Sequence, residues 1–230
     1  MSVVPQKRTN PMRLATFLWV TLVVLWSGPV FAQGSIDYRN AEWRFGINFP
    51  GEPTAEDIEW TSEDNLPIPA RRFSASRGNS TYSVIAADYL SARLTTMLGS
   101  EAHAAANYRN LGVVTYDAYT QIDRVGGLQI QITKPDGRRL FLAIHQHDGF
   151  LYVAEAEAPP RAPPPGQFQQ SLHFLDDNGI RLRYLPDGQR LLSTENLDVD
   201  LEHIPDRALY VEDGFVTPEQ YEELLQHLDE

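Results

Sequence analysis

The stretch VVTYDAYTQIDRVGGLQIQITKPDGRRLFLAIHQHDGFLYVAEAEA, residues 113–158, decides the fold. Four runs rich in β-branched and aromatic residues lie within it: Val113–Ile122, Val125–Thr133, Arg139–His147 and Phe150–Ala158. Asp123-Arg124, Lys134-Pro135-Asp136-Gly137 and Asp148-Gly149 separate them, and each carries turn chemistry. Connections this short force neighbouring strands to run antiparallel, so the segment predicts a four-stranded meander.

Upstream, Trp43, Phe45, Ile47 and Phe49 alternate with Arg44, Gly46 and Asn48, the pattern of a half-buried strand. Pro50-Gly51-Glu52-Pro53 ends it, because proline has no N–H for a ladder. A weaker strand is expected around Ile58 and Trp60. Two more, near Ala70–Arg77 and Thr81–Tyr89, flank a hairpin turn at Gly78-Asn79-Ser80. Leu94, Met97, Leu98, Ala102, Ala105, Tyr108 and Leu111 recur at helical spacing, with Gly112 suited to close the helix and Ser100-Glu101 offering a later start. Downstream, Pro159–Pro165 breaks the chain ahead of a short apolar helix around Phe168, Leu172 and Phe174. Ile180–Tyr184 and Arg190–Leu192 then form a last hairpin across Pro186-Asp187-Gly188. Strands in runs with helices between them predict an α+β domain, an antiparallel sheet with flanking helices.

The two ends differ from this middle. Lys7, Arg8 and Arg13 precede the apolar run Leu14–Trp26, and Val30-Phe31-Ala32 places small residues at a cleavage site before Gln33. Residues 1–32 thus read as a secretory signal peptide, cleaved after Ala32, with Met12 as an alternative start. The apolar run falls short of the roughly 20 residues of a spanning helix, so no stable membrane insertion is expected after cleavage. Export places the mature chain in the periplasm or outside the cell, and 17 arginines against two lysines suggest a GC-rich bacterial genome. Residues 33–192 form the globular domain. Residues 193–230 hold 12 acids and one base, Arg207, and form an acidic extension. Thr217-Pro218-Glu219-Gln220 is a capping box opening a short amphipathic helix with Tyr221, Leu224, Leu225 and Leu228 on its apolar stripe. This extension either docks on its own domain or meets a protein partner, for which its charge calls for basic chemistry.

Composition excludes several functions. The formal charge of -12 and the absence of any basic tract disfavour nucleic acid as a partner. Without cysteine there is no disulfide, thiol catalysis or cysteine zinc site. There is no Gly-x-Ser-x-Gly elbow, no Ser-x-x-Lys pair and no glycine-rich phosphate loop before a helix. Asp176-x-Asn178-Gly179 fails the calcium-loop pattern at Phe174 and Leu185. No cofactor and no catalytic set is therefore expected.

Two constellations keep chemistry open. His145 and His147 project to one strand face about 7 Å apart, where a metal could be chelated with a third ligand from His103, His173 or an acid. Placement as polar positions near the Asp148-Gly149 turn is the bland reading of the same pair. Arg71, Arg72, Arg77 and Arg93 either gather near the first hairpin to hold an anion, or the acidic tail itself, or simply alternate along a surface strand.

The run Trp43–Pro53, ending in Phe-Pro-x-x-Pro, with Tyr82-Ser83-Val84, Asp88-Tyr89 and the late piece Phe168–Phe174, resembles exported bacterial proteins of the Mog1/PsbP-like group. The likeness covers about Asp37 to Tyr184 and implies an antiparallel sheet flanked by helices. It also implies a non-catalytic binding or assembly module, which is the function expected here. The alternative is a metal-dependent or other hydrolytic enzyme using His145 and His147.

Overall fold

The computed structural model describes residues 34–92, 95–185, 188–193 and 215–217, with Glu219 and Glu222. The expected signal peptide falls outside these residues, as does most of the acidic extension and of the amphipathic helix expected within it. Thirteen strands and two helices are described. In chain order the strands are β1 (Ile36–Asn40), β2 (Phe45–Phe49), β3 (Thr54–Thr61), β4 (Pro67–Arg77) and β5 (Ser80–Asp88). After helix α1 (Ser100–Arg109) come β6 (Val113–Ile122), β7 (Val125–Thr133), β8 (Arg139–His147) and β9 (Phe150–Ala158). Helix α2 (Gly166–Gln170) leads to β10 (His173–Phe174), β11 (Arg183–Tyr184), β12 (Arg190–Ser193) and β13 (Phe215–Val216).

The four meander strands begin and end where the turn residues place them. They join the upstream strands in one seven-stranded antiparallel sheet, ordered β3-β4-β5-β9-β8-β7-β6. Asp148 and Gly149 both have positive φ (43° and 82°), as the type I′ turn between β8 and β9 requires. The hairpin across residues 186–188 also forms, with Arg183 opposite Leu191 and Tyr184 opposite Arg190.

The α+β expectation is corrected: the molecule is a β-rich fold in which a second sheet, not a helix layer, covers one face of the first. β1, β2 and β10 form that sheet, in the order β1-β2-β10. Phe45, Ile47 and Phe49 of β2 point into a core shared with Phe73, Phe150, Tyr152 and Phe174. Residues near Ile36 make β2's partner strand, an element the sequence did not announce because it alternates weakly. The opposite face packs Ile130, Ile132, Leu142, Ile144, Leu151 and Val153 against Ala104 and Ala105 of α1. Helical spacing overstated α1. Met97 and Leu98 precede it, and Leu98 is exposed. Beyond α2, Leu172 is buried and Phe174 is a strand residue of β10.

β13 pairs antiparallel with β12, setting Val216 opposite Leu192. Val216 is buried, so this part of the C-terminal segment packs on its own domain.

Candidate functional site

His145 and His147 sit at the end of β8, on the face toward the three-stranded sheet, where Phe174 of β10 lies against both. The His147 ring stacks on Phe174 with centroids 4.7 Å apart, and the His145 ring meets it edge-on at 5.9 Å. His145 is fully buried. Its Nδ1 lies 3.0 Å from the Gly126 carbonyl oxygen; a carbonyl can only accept, so Nδ1 carries the proton and Nε2 is a bare lone pair. Burial pushes the His145 pKa down to about 4. Residues 126 and 127 come this close because Gly127 has no Cβ to strike the imidazole.

His147 makes a 2.9 Å hydrogen bond between Nε2 and the Tyr184 hydroxyl, while Nδ1 lies 3.6 Å from Asp148 Oδ2. Burial lowers its pKa and the Asp148 charge opposes that. Of the two third ligands named from sequence, His173 is buried nearby in the fold. Its Nδ1–H donates to the Ser171 carbonyl at 3.0 Å, and its Nε2 packs on Gly46. His103 instead lies on α1, bonded to Asn107 at 3.0 Å. Among the described residues, no three His, Asp or Glu side chains come together in a group able to hold a metal ion.

His147 and Tyr184 form the inner wall of a cleft of about 440 Å³, completed by Gln121, Arg124, Val125, Leu185 and Gly188. The β6–β7 turn shapes its mouth. Asp123 and Arg124 both adopt left-handed backbone, with φ of 48° and 67°. Arg181 clamps the Asp123 carboxylate through Nε and Nη2 at 2.8–3.0 Å, and Arg183 lies 3.8 Å away. A second cleft of about 350 Å³ opens on the other side of that clamp, lined by Thr120, Gln129, Gln169 and Arg181 among others.

The anion site that the upstream arginines could have formed does not assemble among the described ones. Arg71 pairs with Asp57 at 2.7 Å, Arg72 with Glu56 at 3.2 Å, and Arg77 donates to the Gly34 and Pro50 carbonyls. Arg93 lies outside the described residues. Sequence reasoning missed Arg124 and Tyr184. One signal was available: a two-residue hairpin turn favours Asn-Gly, and Asp-Arg at 123–124 breaks that preference.

The other conspicuous surface is β6, an edge strand of the large sheet. Val113, Val114, Tyr116 and Tyr119 are 69%, 38%, 46% and 68% exposed there, most of the large apolar exposure of the described residues. Asp117, the strand's single acid, is engaged by Arg109 at 2.8 and 3.0 Å. No helix among the described residues is long and apolar enough to cross a membrane.

No family model matches this chain, and no curated protein matches it. Among solved structures, the chain is similar to the solution structure of cyanobacterial PsbP (CyanoP) from Synechocystis sp. PCC 6803, with a TM-score of 0.42 and 13% identity over 64% of this chain and 96% of that one. The resemblance is one of fold only.

Proposed function

We propose that this chain is an exported module that binds a protein partner and carries out no catalysis of its own. The observation that supports it best is the β6 edge. Edge strands are usually blunted by lysine, proline or cover. β6 has a bulge at Thr115 but neither lysine nor proline, and its apolar side chains stand on both faces. Such an edge suits strand addition, in which an extended partner segment gains main-chain hydrogen bonds and seats alternate apolar side chains beside Val114, Tyr116 and Tyr119. The acidic C-terminal segment supplies a second contact for a basic region of the same partner, and residues 1–32 support export.

A photo-crosslinking residue at position 119, introduced in the exporting cell, tests the reading. A discrete adduct with another protein is expected, lost when Val114→Lys and Tyr116→Lys are added. No adduct above that from a probe at Arg161 overturns the reading, and an adduct with the chain itself replaces the partner by a second copy. The hydrolase alternative has its own readout. Stoichiometric zinc or copper in untagged protein, lost in His145→Ala/His147→Ala, would overturn the non-catalytic reading in its simple form.

A further inference from the structure

The cleft beside His147 contains a cation with no structural employment. Arg124 makes no hydrogen bond or ion pair with any described residue, and its neighbour Asp123 cannot neutralise it because Arg181 and Arg183 already hold that carboxylate. The backbone under Arg124 is also costly. At φ 67° an L side chain is disfavoured and glycine is the default, so a stabilising choice has been forgone at this turn. Arg44 and Arg190 are both close enough to His147 to oppose its protonation, and Asp148 is the acid facing it. Arg44 and Arg190 are themselves engaged, by Asp177 at 2.6 Å and Asp176 at 2.7 Å. Among the described residues lining this cleft, Arg124 is the one cation open to a ligand.

From this geometry we infer that the cleft lined by Arg124, Val125, His147, Tyr184 and Leu185 binds a small organic carboxylate. The guanidinium fork matches a planar carboxylate in bidentate fashion. Val125 and Leu185 provide apolar walls for the body of the ligand, and Tyr184 and Gln121 add polar groups to the lining. A cleft of about 440 Å³ accommodates a single ring. A dianionic phosphate would call for more than one free cation, and the described residues of this cleft offer one. The site borders the C-terminal end of β6 at Gln121 but uses none of Val114, Tyr116 and Tyr119, and it does not depend on the partner reading.

Calorimetric titration of the mature chain with benzoate, acetate and inorganic phosphate, against chloride at matched ionic strength, tests the inference. Benzoate is expected to bind at one saturable site, more tightly than acetate or phosphate. Arg124→Gly removes the cation and relieves the backbone together. Its unliganded Tm should rise while benzoate affinity falls roughly tenfold or more, the loss of one charge-assisted contact. Arg161→Gln, a surface control, should bind as the wild type does. Absence of benzoate binding, equal binding by Arg124→Gly, or preference for phosphate over benzoate would each overturn the proposal.

Discussion

Burial sets the protonation of each buried histidine: His145 and His173 donate to a backbone carbonyl and His147 bonds to the Tyr184 hydroxyl, but loss of water lowers the pKa of all three. His145 donates from Nδ1 to Gly126 and has a folded pKa of about 4 against an ordinary 6.5. Between those values the unfolded chain binds the extra proton and the folded chain does not, so stability is full above pH 6.5 and declines as pH falls toward 4. The loss from His145 amounts to roughly 3 kcal/mol. Burial of His147 and His173 acts in the same direction. Urea midpoints measured across this range should fall with acidification, and His145→Asn, whose amide can replace the Nδ1 donor, should flatten the slope. Gly46 makes a steric prediction at the same scale. A Cβ there would strike the His173 imidazole, so Gly46→Ala should cost about 1–3 kcal/mol by denaturation. Combining it with His173→Ala should cost less than the sum of the two single changes. Neither contact is legible in sequence, since Gly46 and His173 are joined only by the pairing of β2 with β10.

Among the elements, those closed by short turns were the legible ones. The meander strands are local, and each hairpin turn determines register without help from distant residues. α1 was less legible, because Met97 and Leu98 continued a helical spacing that the fold uses only from Ser100 onward. α1 is nevertheless anchored. The Tyr108 hydroxyl donates to Glu155 at 2.7 Å, and the Ser83 hydroxyl donates to the same carboxylate at 2.8 Å. Tyr108→Phe should therefore destabilise by about 1–2 kcal/mol, and thermal melts should show the loss. β13 adds a strand from the far C-terminal region to β12. Val216→Ala removes two buried methyl groups and should cost about 1–2 kcal/mol. Truncation after Leu192 should lower Tm by at least as much as that substitution. An unchanged Tm in both variants would mean that this pairing contributes nothing to the domain.

At the largest scale, two sheets share one aromatic core, and Tyr152 ties one to the other by hydrogen bonds. From β9 of the large sheet, its hydroxyl reaches the Trp43 and Arg44 carbonyls at 3.2 and 3.3 Å, at the entrance to β2. Tyr152→Phe should cost about 1 kcal/mol and raise amide exchange in β1 and β2 ahead of the large sheet. Charge is uneven at this scale too, with an acidic C-terminal stretch on a domain whose arginines are mostly spent in pairs. By itself the sequence determined the antiparallel strands, their turns and the acidic end, because alternation, turn chemistry and charge act between near neighbours. Only the tertiary structure decided that a sheet covers the first sheet, that His145 and His147 close on Phe174, and that Arg124 and Tyr184 line one cleft. Those outcomes depend on which distant surfaces meet, and a one-dimensional pattern of burial does not say what a buried face is buried against.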